Sequence, residues 1–111
     1  MFTVIKEMEI SAAHKLKLNY DSKCRDLHGH NWKIRVYLRS KTLDDNGMVM
    51  DFTHIKKKVV DALDHKYLNG EVDFNPTAEN LAQYICGLLP FCVRVDIWEQ
   101  AGSLVTYEKD N

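Results

Sequence analysis

Two stretches with a period of two are the features that most constrain the fold of this 111-residue chain. In residues 2–12 the even positions are mostly apolar and the odd positions mostly polar, with Lys6 as the exception. Residues 31–39 alternate more cleanly. Successive side chains of a strand point to opposite faces, so each stretch predicts a strand with one buried face. A polar loop joins the stretches, and we expect the two strands to be neighbours in an antiparallel hairpin.

Two segments in the second half of the chain show the spacing of three and four that is typical of amphipathic helices. Asp51 can cap the first helix, and Thr77 can cap the second, which should end before Pro90. The predicted apolar stripes are Phe52, Ile55, Val59 and Leu63 in the first helix, and Ala78, Leu81, Ala82, Ile85 and Leu88 or Leu89 in the second.

Alternation returns in residues 93–99, with Val93, Val95 and Ile97 inward, and a turn containing Gly102 leads to a last strand at 104–107. The order β-β-α-α-β-β predicts an α+β fold, a four-stranded antiparallel sheet with two helices on one face. A chain of this length can bury one core but not two, so we expect one domain over residues 1–111. The other sheet face, which carries Arg35 and Asp96 among other charged residues, should meet water or a partner subunit.

Charge and composition argue against several classes of function. Lysine and arginine number 15 against 16 acidic residues, so a net charge of −1 gives no strong attraction to nucleic acid or to an anionic membrane. The start MFTVIKEMEI lacks the pattern of a signal peptide, and no apolar run approaches the roughly 20 residues that span a bilayer. Three cysteines without a secretory signal suggest reduced thiols in the cytoplasm.

The period of two also places three histidines on one face. If the first strand continues to His14 and the second begins at His28, then His14, His28 and His30 share the apolar face, with Gly29 leaving space between the last two. A single histidine there is usually a hydrogen-bonded core residue, but three crowded imidazoles are costly to bury without a shared partner. The pattern predicts a metal site, and three histidines with an open fourth position are typical of catalytic zinc. A register slip of one residue would turn the set outward.

Cys24, four residues before His28, has two interpretations. It could be a fourth ligand that closes a structural zinc site, or a reactive thiol held near the metal. Three histidines already complete a catalytic set, which favours the reactive thiol. Cys86 and Cys92 are interpreted as core or inert thiols.

Three acidic or basic side chains near the ends of other elements are also candidates. Asp64 and His65 either close the first helix or form a pair in which the acid orients an imidazole that carries protons. Glu99 follows Ile97 as the next inward position of its strand. It is a frayed strand end, one half of an ion pair, or a carboxylate held for a ligand that presents two parallel N–H donors.

Six motifs in order, ISAAHKL, CRDLHGHNW, GMVMDF, LDHKYLN, NPTAENLA and IWE, resemble the 6-pyruvoyltetrahydropterin synthase family over nearly the whole chain. The most specific part is a distant histidine followed by Cys-x3-His-Gly-His. The three-residue gap between Cys24 and His28 is similar to that of the bacterial 6-carboxy-5,6,7,8-tetrahydropterin synthases of queuosine biosynthesis, whereas the pyruvoyl-forming animal enzymes usually have a longer gap.

The resemblance implies a role for each candidate side chain. Cys24 removes a proton from the substrate, and Asp64 and His65 relay protons. Glu99 anchors the amino-pyrimidine edge of the pterin. Glu79 is a weaker pterin-side candidate, and its simpler interpretation is a carboxylate favourable to a helix N-terminus. The implied zinc ligands are His14, His28 and His30.

The resemblance also implies the tunnelling fold, whose subunits form barrels, commonly in a hexamer of two trimers with active sites at subunit contacts. The implied reaction converts 7,8-dihydroneopterin triphosphate to 6-carboxy-5,6,7,8-tetrahydropterin with release of acetaldehyde and triphosphate. Lys15 and Lys23 are candidates to hold the triphosphate. Gln100 and Ala101 follow Glu99 where many relatives carry a small hydroxyl residue, which leaves the remaining pterin contacts open. The alternatives are formation of 6-pyruvoyltetrahydropterin on the same scaffold and a zinc-stabilised binding module without chemistry.

Overall fold

A computed structural model describes residues 1–110, which form a five-stranded mixed sheet and three α-helices. The sheet order is β3-β1-β2-β4-β5, and all neighbouring strands are antiparallel except the parallel pair β1–β3. No helix within residues 1–110 is long and apolar enough to cross a membrane. The elements are β1 (Phe2–His14), β2 (His28–Ser40), α1 (Phe52–Leu63), β3 (Lys66–Tyr67), α2 (Leu68–Glu71), α3 (Ala78–Leu88), β4 (Cys92–Gln100) and β5 (Ser103–Glu108).

The α+β class is as predicted, but the prediction of four antiparallel strands and two helices is wrong. The missed elements are β3, which pairs its two residues with Ala12 and Ala13, and the four-residue helix α2. Neither is long enough to show a hydrophobic period, and α2 contains Gly70, which disfavours a helix. Both follow directly after α1 and lie against the end of β1, so they help to shape the site described below.

The β1–β2 hairpin determines where the histidines lie. Its register pairs Phe2 with Ser40 at one end and His14 with His28 at the other, so both strands run unbroken through the histidines. The even-numbered residues of both strands face the core, as the alternation predicts. The core residues from this hairpin are Met8, Ile10, Ala12, Trp32, Ile34, Val36 and Leu38.

Both predicted helix caps are present. Asp51 Oδ1 accepts a hydrogen bond from the Thr53 amide at 2.8 Å, and Thr77 Oγ1 accepts one from the Asn80 amide at 3.1 Å. The stripes of α1 and α3 are buried as expected, with one exception. Phe52 is 55% exposed because it is the first residue of α1 and lies at the edge of the core, so its assignment to the stripe is wrong.

A bulge changes the start of β4. Cys92 lies opposite Leu38 and Arg94 opposite Tyr37, so the pairing skips Val93. Cys92 therefore takes the buried position predicted for Val93 and is 3% exposed. A single extra residue in one strand reverses which side chains face inward, and local alternation does not reveal it. After the bulge, the inward alternation predicted for the strand is restored up to Glu99.

The sheet face opposite the helices contains a buried carboxylate. Asp96 is 2% exposed, whereas we expected it to meet water or a partner. Its oxygens accept hydrogen bonds from the Tyr37 hydroxyl at 2.8 Å, the Thr106 hydroxyl at 2.8 Å and Arg94 Nε at 3.0 Å. Burial acts to raise the pKa of the Asp96 carboxyl, but hydrogen bonds from Arg94, Thr106 and Tyr37 outweigh burial and lower it.

Replacing Asp96 with asparagine is expected to destabilise the fold by about 1–3 kcal/mol at pH 7. The reason is that hydrogen-bond donors that now face a carboxylate oxygen would face the NH₂ group of an amide. The folded-state pKa lies below the unfolded value near 3.9, so the charge stabilises the fold above about pH 4. This stabilisation is lost as the pH falls through the folded-state pKa. Urea unfolding at pH 7 and pH 3 measures the effect, with the exposed Asp45→Asn as the control. Equal stability of Asp96→Asn and the unsubstituted protein at pH 7 would contradict the prediction.

Candidate metal centre and active site

Four side chains from three strands converge at the ends of β1 and β2. His14 comes from β1, His28 and His30 come from β2, and Glu99 comes from β4. The centroids of the three imidazole rings are 4.5 to 5.3 Å apart. Glu99 Oε1 lies 3.6 Å from His14 Nε2, 4.0 Å from His28 Nε2 and 2.8 Å from His30 Nε2. One ligand atom from each side chain lies within 4.8 Å of the others, so this group could hold a metal ion.

Two backbone carbonyls determine how two of the three histidines are oriented. His14 Nδ1 lies 2.8 Å from the Pro76 carbonyl oxygen, and His28 Nδ1 lies 2.7 Å from the Asp26 carbonyl oxygen. A carbonyl oxygen only accepts hydrogen bonds, so both Nδ1 atoms carry the proton. In the neutral rings Nε2 then has a free lone pair that points to the other histidines. Metal-binding histidines are commonly oriented through the second ring nitrogen in this way.

Two of the converging nitrogens have no hydrogen-bond partner within the described residues. His14 Nε2 and His30 Nε2 are both buried, and His30 Nε2 makes no hydrogen bond to Glu99 Oε1 although the two atoms lie 2.8 Å apart. A buried polar atom without a partner costs about 1–3 kcal/mol, so two such atoms at one point indicate a shared partner. A divalent metal ion satisfies both nitrogens, and nitrogen and carboxylate ligands suit zinc.

The environment of His14 favours the neutral ring that binds metals. His14 is fully buried, and its ring packs edge-on against Trp32 with a centroid distance of 4.9 Å. Burial lowers the pKa of His14, and the hydrogen bond to the Pro76 carbonyl only partly offsets this. The ring therefore stays neutral at pH 7, and its lone pair remains available to a metal.

Cys24 lies outside the set of converging side chains. It occupies a 3-10 turn, Lys23–Arg25, that begins at Ser22. Its amide donates to Ser22 Oγ at 3.1 Å, and its carbonyl accepts from the Leu16 amide at 2.8 Å. The fourth side chain of the cluster is Glu99 rather than Cys24. This arrangement favours a free thiol over a fourth ligand of a closed structural site.

Asp64 and His65 directly follow α1, and His65 lines a groove beside the β1–β2 hairpin. The Ser11 amide donates to Asp64 Oδ1 at 2.8 Å, and Asp64 Oδ2 lies 3.5 Å from His65 Nε2. His65 has a positive φ of 55°, a conformation that is uncommon outside glycine and often found at functional sites. Its side chain is 83% exposed. The residues of β1 and β2 that line the groove include Ser11, Asn31 and His30, so the groove that holds His65 reaches one member of the histidine cluster.

Glu79 is exposed in the first turn of α3, outside the cluster. The sequence did not predict that the carbonyls of Asp26 and Pro76 bind two of the histidine rings. They are backbone atoms, so their residue types carry no signal of their role, and only the paths of the loops place them beside the histidines.

The fold and this site define a small α+β domain with a histidine-rich centre that could hold a metal ion. The sequence profile of the 6-pyruvoyl tetrahydropterin synthase family matches residues 3–110. The chain is 36% identical over 121 aligned positions to the 6-carboxy-5,6,7,8-tetrahydropterin synthase of Synechocystis sp., which covers 96% of this chain and 93% of the relative. It is 31% identical over 123 positions to the enzyme of the same name from Bacillus subtilis, with coverage of 96% and 84%.

The structure of Caenorhabditis elegans 6-pyruvoyl tetrahydropterin synthase superposes with a TM-score of 0.77 at 29% identity, covering 98% of this chain and 96% of the other. The chain therefore belongs to the 6-pyruvoyl tetrahydropterin synthase family, and the resemblance inferred from its motifs is confirmed.

Proposed function

We propose that this protein is a zinc-dependent lyase that converts 7,8-dihydroneopterin triphosphate and one water molecule to 6-carboxy-5,6,7,8-tetrahydropterin, acetaldehyde and triphosphate. The main support is the convergence of three histidine Nε2 atoms, two of which are buried and have no hydrogen-bond partner among residues 1–110. The names of the bacterial relatives support the product. In this proposal the reaction is a cytoplasmic step of queuosine biosynthesis.

In this proposal His14, His28 and His30 hold zinc. The ion would supply Lewis-acid chemistry, polarising a side-chain oxygen of the substrate and making the neighbouring C–H bond more acidic. The chain itself supplies the orientation, since the carbonyls of Pro76 and Asp26 fix two of the rings. Trp32 closes the inner side of the centre against His14 and His30, which keeps water from that side.

Cys24 is the proposed base that takes the proton from the substrate carbon, and Asp64 and His65 pass protons onward. Within one chain, the His65 side chain is 83% exposed and lines a groove beside the hairpin. We propose that it serves the Cys24 of a neighbouring subunit in a homo-oligomer, a hexamer of two trimers in which the sheets join into barrels. Strands β3 and β5 each leave one edge of the sheet unpaired within the described chain, which suits such an assembly.

Glu99 is the proposed anchor for the amino-pyrimidine edge of the pterin, whose two parallel N–H groups suit a carboxylate. Replacing it with glutamine should weaken pterin binding by about 10–100-fold, because hydrogen bonds to a charged group contribute about 1.5–3 kcal/mol. Zinc content should stay close to that of the unsubstituted protein, since three histidines remain. Fluorescence titration with neopterin and metal analysis measure the two quantities.

The control is Glu9→Gln, which removes an exposed carboxylate from β1. Unchanged affinity for neopterin in Glu99→Gln would remove the anchor role. Loss of zinc from Glu99→Gln would instead identify Glu99 as a metal ligand, as its distances to the ring nitrogens also allow. Glu79→Gln is expected to have the smaller effect on neopterin affinity.

A second candidate product is 6-pyruvoyltetrahydropterin, and the likeness to the Caenorhabditis elegans enzyme favours it. Incubation of zinc-loaded protein with 7,8-dihydroneopterin triphosphate and mass identification of the products separates the two reactions. Acetaldehyde together with the 6-carboxy product supports the main proposal, and the pyruvoyl product supports the alternative. The absence of both would overturn the proposed chemistry.

A further inference from the structure

Asn69 and Asn75 belong to the motifs LDHKYLN and NPTAENLA, but the site described above gives them no role. Asn69 Oδ1 accepts from the Lys15 amide at 2.9 Å, and Asn69 Nδ2 donates to the Lys15 carbonyl at 2.8 Å. Asn75 makes the same two bonds with Lys17, at 2.9 and 3.0 Å. Each asparagine therefore satisfies both backbone groups of one residue in the segment that follows His14.

Along one edge of the segment 15–17, these hydrogen bonds take the place of the backbone hydrogen bonds that a neighbouring strand would make. A carboxamide offers one acceptor and two donors, so it can replace the peptide groups of a neighbouring strand. In an extended chain, residues two apart present their N–H and C=O groups to the same side, and the residue between them faces the other side. Leu16 is the residue that faces the other side, where its amide donates to the Cys24 carbonyl at 2.8 Å. The segment thus connects the two asparagines to Cys24.

The same contacts adjoin the groups that orient the histidines. Pro76, whose carbonyl binds His14 Nδ1, directly follows Asn75. The turn that contains Cys24 is closed by the Asp26 amide, which donates to Lys23, and the Asp26 carbonyl binds His28 Nδ1. A change in the asparagine contacts would therefore move the thiol relative to the centre.

We propose that Asn69 and Asn75 are positioning residues that hold the Cys24 thiol in place relative to the histidine cluster through the segment 15–17. The inference rests on the proposed function, since it assigns Cys24 a chemical task. Both asparagines are half-buried and lie outside the hydrophobic core, so truncating either one removes hydrogen bonds without opening a core cavity. An aspartate could not replace them, because its second oxygen would face a carbonyl oxygen.

The test is Asn69→Ala in the full-length, zinc-loaded protein. The loss of two hydrogen bonds should speed amide exchange at Lys15 and Leu16 by roughly tenfold or more. Iodoacetamide should label Cys24 several-fold faster, and Cys86 and Cys92 should not compete because both are buried. With 7,8-dihydroneopterin triphosphate, kcat should fall about tenfold while KM and zinc content stay unchanged, because only the reacting thiol is misplaced.

Three further variants make the test specific. Asn75→Ala should give the same pattern, with the fastest exchange at Lys17. Asn69→Asp should not rescue kcat, since it keeps the acceptor for the Lys15 amide but loses the donor. Lys17→Ala should behave like the unsubstituted protein, because the contacts use only backbone atoms of Lys17.

Unchanged exchange at Leu16 and unchanged labelling of Cys24 in Asn69→Ala would overturn the inference. Loss of zinc together with activity would also overturn it, since the asparagine would then act on the metal centre. Failure of the proposed function appears separately, as the absence of turnover in the unsubstituted protein. Exchange and labelling would still show whether the asparagines hold Cys24 in place.

Discussion

Replacing His28 with alanine is expected to remove zinc and turnover together. The variant loses one of three ring nitrogens that converge on the site, so zinc affinity should fall by more than the roughly 10–100-fold typical for loss of an outer-shell partner. His28 is a better choice than His14, because its side chain is 26% exposed and His14 is fully buried. The fold should therefore survive. Metal analysis and a product assay measure the two losses, and circular dichroism checks the fold.

His54→Ala is the matched control, since His54 is exposed on the first turn of α1. Full zinc occupancy in His28→Ala would contradict the assignment of the ligands. Unfolding of the variant or of chelated protein would support a structural zinc site, and with it the binding module without chemistry. A catalytic site predicts that turnover stops on chelation while most of the structure persists.

The second large effect is expected for Cys24→Ala, which should keep zinc. Its kcat should fall by about 10²–10⁴-fold, the usual contribution of a positioned acid or base. Zinc should remain because the converging ligand atoms come from the histidines and Glu99, and the thiol is not among them. Parallel measurements of zinc content and kcat test this. If zinc is lost as well, Cys24 is a ligand and the interpretation of the site as catalytic fails.

Cys92→Ala is a suitable control for the thiol. Burial, together with the interaction with the neighbouring Cys86 thiol, raises the pKa of Cys92 to about 12, so this thiol is not a base at neutral pH. Cys92 is also buried at the bulge of β4. The control should retain turnover per folded molecule, although the smaller side chain should lower the stability of the fold.

Local patterns predicted much of the fold and the centre of the site. The period of two in the first hairpin placed His14, His28 and His30 on one face, and the register that pairs His14 with His28 agrees with it. The helix caps at Asp51 and Thr77 were also visible, because a cap is an interaction between residues two or three positions apart. Such signals depend on neighbours in sequence and are therefore readable without the fold.

Other features depend on segments that lie far apart in the sequence. The bulge in β4, which buries Cys92 instead of Val93, arises from pairing with Tyr37 and Leu38. The burial of Asp96 requires side chains from three strands. The short strand β3 exists only because β1 offers it an edge. No local period predicts these contacts, because each one is decided by which strands become neighbours.

The sequence by itself determined the family, the two strands of the first hairpin and the three imidazoles on one face. Only the tertiary structure decided that Glu99 lies against those imidazoles, that the Pro76 carbonyl orients His14, and that two asparagines hold the segment leading to Cys24. The physical reason is the range of the interactions. Alternation of side chains is a property of each strand alone, whereas the pairing of β2 with β4 and the path of the loop before α3 arise only when the whole core is packed.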